Sequence, residues 1–302
     1  MDFTPHEKLL DKIYEDFDEF SNEQYVEKLN TRIEILIRFV NSLFVDKIQM
    51  PAWKTFSETI IIKICFHIAS LLKLFHGTEL PIKHAKSNYI IFDEPSIYSL
   101  FRTITENYLT FFYLFIDNIS DDEKYFRFLI YEYCGIHQRQ SFDVTLPKNK
   151  QKQIDEAGHL EKLKTAILNS VFYKDIDPSI KKALLNGVKP RLKTWKKLIK
   201  DAQLNIGYDS NLYGFKSSYS HSEYLSLLQI RTNTYQFNSH ERKSHFVLFI
   251  IHMLISRMII NLSTLFPTIK NHFEKLEQEM KIEIEFLSIN LALTIKDPKN
   301  GL

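Results

Sequence analysis

Glycine is scarce: 7 of 302 residues, where average usage is about 7%. Tight hairpin turns depend on Gly and Asn at unusual backbone angles. A chain with so little glycine has few such turns, and alternating strand patterns are scarce as well. Long helices follow. Proline is limited to 9 residues, and no Gly/Ser/Pro-rich linker separates domains. Cysteine is limited to Cys65 and Cys134. Two cysteines make no disulfide framework, and both sit in apolar runs as buried small hydrophobes, which fits a cytoplasmic setting. Gly-rich phosphate loops are missing, so a standard nucleotide hydrolase or dinucleotide enzyme is not expected, and no nucleophile elbow occurs. HExxH and CxxC spacings are also missing, and no metal or cofactor is expected. The N-terminus, MDFTPHEK, is polar and reads as no signal peptide.

Aromatic residues are abundant, with 24 Phe and 15 Tyr. They supply a large apolar payload for a core. Hydrophobic residues make up 44% and charged residues 25%, the balance of a folded globular chain. Net charge is +2, but it is uneven. Positions 15–23 are acidic, whereas 181–200 are basic and enclose Trp195. The longest apolar run, 246–266, has the length to span a bilayer. His252 and Arg257 interrupt it, and a central Arg costs about 2.5–3.5 kcal/mol on insertion scales. The run therefore reads as a buried central helix, with no membrane partner.

The fold class expected is all-α, a multi-helix bundle. Periodicity and stop signals place helices at 5–19, 22–46, 51–76, 95–117, 121–142, 151–172, 178–187, 192–204, 210–231, 239–266 and 268–292. Ser21 and Gln24 have capping-box spacing. Pro51 suits a first helical turn. Ser120 before Asp121 and Asp122 suits the positive end of a helix. Gly77, Gly187 and Pro267 mark stops. Positions 77–92 lack a helical period, with an extended piece at 89–92. The expected division is 1–142 as the N-terminal part of the bundle, 143–207 as a basic helical insertion or lobe, and 208–302 as the closing helices. No internal repeat is evident.

Two helices carry polar groups where the pattern asks for apolar ones. On 95–117 these are Arg102 and Glu106, one turn apart, flanked by Tyr98, Leu109 and Tyr113. On 211–231 they are Tyr213, Ser217 and His221 at i, i+4, i+8. Such groups on apolar helices are costly unless they pair or act. One reading makes Arg102 and Glu106 a structural ion pair and His221 a satisfied core histidine. The other makes Arg102 a phosphate or carboxylate holder and His221 a general base. His245 and His252, seven apart on the apolar helix, read as core or interface residues, and His137 as a further cleft member. The run Lys181, Lys182, Lys189, Arg191, Lys193, Trp195, Lys196, Lys197, Lys200 reads either as a solvated face or as an RNA-contacting surface.

The motifs Arg102-Thr-Ile-Thr-Glu106 and Tyr213-Gly-Phe-Lys-Ser217-Ser-Tyr-Ser-His221 resemble a bacterial family of uncharacterised helical proteins, over about 90–235. That family is similar to the HEPN superfamily of helical ribonucleases, toxins and phage-defence modules. The HEPN signature places four to six residues between Arg and His. Here Lys216 stands in that place, five before His221, so the chain departs from the signature at its cation. The resemblance implies a metal-independent ribonuclease or toxin effector of a bacterial defence system. His221 would deprotonate a ribose 2′-hydroxyl, and Arg102 or Lys216 would hold the phosphate, with Glu106, Ser217 and Tyr213 completing the site. The partner expected is RNA, together with a second copy of the chain or a defence-system protein. The alternative is a non-catalytic sensor or adaptor that binds a partner protein or small ligand at Arg102, Glu106 and His221, and a plain structural cluster stands behind both.

Overall fold

The computed structural model describes residues 21–81, 89–204 and 237–290, with single positions 224, 227, 228 and 231. The fold is all-α. Eleven helices and one two-stranded ribbon account for nearly all the described regular structure. They are α1 (Asn22–Val45), α2 (Phe56–Phe75), α3 (Glu94–Phe111), α4 (Asp121–Gln140), α5 (Pro147–Asn169), α6 (Val171–Lys174), α7 (Pro178–Leu185), α8 (Trp195–Asp201), α9 (Phe237–Leu265), α10 (Pro267–Glu274) and α11 (Gln278–Asn290). The ribbon pairs β1 (Thr78–Leu80) antiparallel with β2 (Tyr89–Ile91), Glu79 opposite Ile90. It joins α2 to α3 and contains the extended piece read at 89–92.

Local chemistry explains the helix ends. Ser21 Oγ accepts from the Gln24 amide at 3.3 Å, and Gln24 Oε1 accepts from the Ser21 amide at 2.8 Å, so the capping box forms. Ser120 Oγ accepts from the Glu123 amide at 3.2 Å and starts α4. Pro147 occupies the first turn of α5, four residues earlier than the apolar period alone predicts. Gly187 stops α7 at φ +71°, and a Cβ there would overlap the His137 ring, so both angle and space require glycine. One expectation is corrected. The single helix 268–292 is two, because Lys275 and Leu276 close α10 with short-range bonds to the carbonyls of His272 and Phe273. No Gly or Pro marks the break, and the 3, 4 apolar stripe from Phe273 to Leu287 runs across it.

The chain divides into two compact units. The first comprises Met1–Phe111 and Ile199–Leu302. Here α2 packs on α3, and α9 packs on α1, α3, α10 and α11. Leu248, Ile251, Leu254, Ile255, Met258 and Leu262 of α9 are fully buried. The stretch Val247–Leu265 has the length and composition to cross a membrane, yet most of it is buried inside the protein. The second unit is Phe112–Leu198. It holds most of the basic middle of the sequence together with α4. Its core is Phe126, Leu129, Ile130, Tyr133, Cys134, Leu163, Ile167 and Leu184, drawn from α4, α5 and α7. The boundary after Phe111 coincides with a switch from α to π geometry over Phe112–Ile116.

Candidate functional site

Helix α3 buries Ile97, Phe101, Ile104, Tyr108 and Phe111 as one stripe, with Tyr98 and Leu109 beside it. Arg102 and Glu106 lie between this stripe and the weakly polar side. Their ion pair forms, Arg102 Nε donating to Glu106 Oε1 at 2.9 Å. The side chains are 22% and 27% exposed, so the pair is half-buried rather than out on the surface. The Thr103 and Thr110 hydroxyls bond back to carbonyls one turn earlier on the same helix. On that polar side the Asn107 Nδ2 amide is buried and has no hydrogen-bond partner among the described residues. A buried donor without an acceptor is costly, and each such group in a folded chain calls for an explanation.

Tyr213, Lys216, Ser217 and His221 lie outside the described residues, as do the helix expected at 210–231 and the side chain of His245. Among the described residues, then, the pair Arg102–Glu106 is the part of the predicted site that the structure brings together. His137 is a member of the second unit, its ring 5.7 Å from that of Tyr133. Cys65 and Cys134 are free and buried, and burial pushes both thiols up to about 11. Among the described residues no three His, Cys, Asp or Glu side chains gather to hold a metal ion.

Two polar networks escaped sequence reasoning. The first lies in the first unit around Arg32, whose side chain is fully buried. Its Nη2 donates to Glu283 Oε1 at 2.6 Å, its Nε to Ser256 Oγ at 3.2 Å, and its Nη1 to His252 Nδ1 at 3.0 Å. Lys28 Nζ reaches both Glu283 oxygens at 3.0 Å. Since a guanidinium only donates, Nδ1 of His252 must accept, which places the ring proton on Nε2. That N–H faces the Tyr25 carbonyl at 2.9 Å. Burial first, then the Arg32 charge, hold the imidazole pKa well below its ordinary value, so the ring is neutral. His252 is thus a satisfied core histidine that ties α9 to α1.

The second network grows out of the π turn in the second unit. The Asp117 amide bonds five residues back to the Phe112 carbonyl at 2.9 Å. The wide turn lets the Tyr113 carbonyl accept from Arg127 Nη1 at 3.1 Å. Arg127 also donates to Asp117 Oδ2 at 2.7 Å and to Glu123 Oε1 at 2.9 Å. Lys193 Nζ reaches the same Asp117 oxygen at 2.7 Å. Burial acts to raise the Asp117 pKa, but hydrogen bonds from Lys193 and Arg127 outweigh it and hold the carboxyl below its ordinary range. The Tyr113 hydroxyl accepts from the Leu192 amide at 3.1 Å. Asp117→Asn is expected to cost about 1–3 kcal/mol in urea unfolding, the range for a lost charged hydrogen bond. The loss stays moderate because Arg127 keeps Glu123 and the Tyr113 carbonyl. A midpoint equal to that of the parent protein would show that the pair contributes nothing.

Comparison with known protein families, with curated proteins and with solved structures finds no match for this chain.

Proposed function

We propose that the protein is a HEPN-like, metal-independent ribonuclease, acting as a toxin effector of a bacterial defence system. The observation that carries the reading is the Arg102–Glu106 pair, bonded at 2.9 Å and half-buried on an otherwise apolar helix. An ion pair of this spacing gains only about 0.2–0.5 kcal/mol on an exposed helix, and half-burial adds a desolvation cost, so stability alone is a weak reason to set two charges among Tyr98, Phe101 and Leu109. A guanidinium clamped at Nε by a carboxylate has a fixed orientation, which is what holding a phosphate requires. The unpartnered Asn107 amide on the same helix supports a ligand rich in acceptors.

In this reading His221 takes the proton of a ribose 2′-hydroxyl. The 2′-oxygen attacks the adjacent phosphorus, the bond to the 5′-oxygen breaks, and the departing oxygen takes a proton from water. Arg102 or Lys216 balances the charge that gathers on the phosphate, Glu106 positions Arg102, and Ser217 and Tyr213 complete the site. The products carry a 2′,3′-cyclic phosphate and a 5′-hydroxyl. The test is incubation of purified protein with end-labelled RNA, with and without EDTA. The expected result is cleavage that survives EDTA and leaves those two ends. Loss of cleavage with EDTA would replace the mechanism with a metal-dependent one. RNA left intact under both conditions would favour an adaptor that uses the same pair to bind a partner or small ligand.

A further inference from the structure

The charge of this chain is divided by unit. Residues 112–198 contain sixteen Lys and Arg against eleven Asp and Glu, whereas the rest contains twenty-three against twenty-six. The excess of cations therefore resides in the second unit. It is concentrated in 181–197, where seven Lys and Arg occur without one carboxylate. Such a run repels itself unless something holds it or something anionic covers it.

The structure shows what holds it. Lys193 is anchored on Asp117, and the Leu192 amide on the Tyr113 hydroxyl. Tyr133 donates its hydroxyl to the Leu185 carbonyl at 2.8 Å. Lys181 donates to the Lys174 carbonyl at 2.9 Å and lies 5.0 Å above the Tyr173 ring. The Arg191 guanidinium stacks on Trp195 at 3.7 Å, and both residues are half-exposed. These bonds fix the backbone of the run and spend Lys181, Arg191 and Lys193 on the protein itself. Among the described residues Lys182, Lys189 and Lys196 make no close ion pair, although hydrogen bonds from Ser179 and, less, the nearby Lys189 charge lower the Asp177 pKa. The result is an ordered surface in which cations alternate with planar groups.

We propose that residues 181–197 are a docking surface for single-stranded nucleic acid. Lys182, Lys189 and Lys196 contact backbone phosphates, and the Arg191–Trp195 stack supports a base. Bases have flat faces whatever their sequence, so an aromatic beside free cations suits a single strand. The proposal deepens the ribonuclease reading by naming where the RNA is held, and it is tested without cleavage.

The probe is a fluorescein-labelled 2′-O-methyl oligoribonucleotide of about 14 nucleotides, within the span of known single-strand sites. It has no free 2′-hydroxyl and cannot be cut by the proposed mechanism. Its binding to the whole protein is followed by anisotropy against salt. The triple variant K182Q/K189Q/K196Q is expected to reduce the slope of log affinity on log salt by about 2, at about 0.7 per lost single-strand phosphate contact. Trp195→Ala is expected to weaken binding about ten-fold or more, and Trp195→Phe less. The control removes equal charge from the first unit, K63Q/K73Q/K270Q, and is expected to leave the slope unchanged. Circular dichroism and melting establish that each variant is folded.

The proposal is overturned if the oligonucleotide does not bind, if both triple variants weaken it equally, if the first triple leaves the salt slope intact, or if duplex DNA competes as well as single strands. Oligonucleotide binding with the expected slope change, alongside intact ordinary RNA, removes the ribonuclease reading and leaves the docking surface standing. RNA cleavage by a protein whose K182Q/K189Q/K196Q variant binds like the parent does the reverse.

Discussion

Replacing Glu283 with alanine is expected to destabilise the protein by about 3–5 kcal/mol, the range for breaking a buried ion pair by removing one partner. Glu283 is 4% exposed and Arg32 is fully buried. The truncation leaves the Arg32 guanidinium among apolar side chains with Ser256 and a neutral imidazole, neither of which offsets its charge. A domain is stable by about 5–15 kcal/mol, so the variant approaches the edge of folding. Urea denaturation measures it. Glu34→Ala is the contrast, because Glu34 and Arg38 are 71% and 60% exposed and 3.9 Å apart. Such surface pairs contribute about 0–1 kcal/mol. Replacing Arg32 and Glu283 together with leucine is expected to restore much of the loss, since no orphan charge remains. If Glu283→Ala and Glu34→Ala shift the midpoint alike, the network is not the clasp its geometry implies.

The same cluster sets the acid side of stability. Burial and Arg32 keep the His252 pKa well below its ordinary 6.5. Burial acts to raise that of Glu283, but the charges of Arg32 and Lys28 hold it below 4.5. In both cases the folded pKa is the lower one, so the unfolded chain binds more protons as pH falls. The contribution of His252 is complete above about pH 6.5 and declines below it, by about 1.4 kcal/mol for each pH unit. That of Glu283 is complete above its unfolded value and is lost at still lower pH. Unfolding midpoints measured from pH 7.5 to 4.5 should fall, and His252→Gln should flatten the upper part of the fall.

The helices were legible because they follow local rules. Ser21 and Gln24 announce α1, Ser120 announces α4, and the stripe Ile97, Phe101, Ile104, Tyr108 on α3 buries as its spacing implies. The central helix was legible from its apolar length, and the half-buried setting of Arg102 and Glu106 from their aromatic flanks. The networks were not. Arg32 lies one turn after Lys28 on a helix rich in charge, so it reads as solvated, and its partners are 220 residues or more away in sequence. Glu283 is one of several carboxylates on α11, and nothing local sets it apart. Only the approach of α1 to α9 and α11 makes them a cluster. The π turn is equally silent, because Phe112 to Ile116 continues the apolar pattern of α3, while the Tyr113 carbonyl and Asp117 that it presents are bonded by Arg127 of α4. The division after Phe111 coincides with that turn and with no change in composition.

The chemistry of the proposed site should appear in the rates of three variants. His221→Ala removes the base and is expected to slow RNA cleavage by about 10²–10⁴-fold. Arg102→Ala removes a fixed cation from the charge developing on phosphorus, for about 10²–10³-fold. Arg102→Lys keeps the charge but loses the planar fork that Glu106 holds, so its rate should lie between those of Ala and Arg. The two groups act in one step, and the double variant His221→Ala/Arg102→Ala should therefore be little slower than His221→Ala alone. Stability separates this from a structural role. Arg102 and Glu106 are 22% and 27% exposed, so truncating Arg102 should cost about 1–3 kcal/mol of stability and leave the variant folded. A kinetic loss of 10²-fold, about 2.7 kcal/mol, measured on that folded variant is a loss of chemistry. If Arg102→Ala lowers activity and stability in proportion, the pair is a structural tie. If His221→Ala cuts RNA at the parent rate, the base lies elsewhere and the ribonuclease mechanism falls.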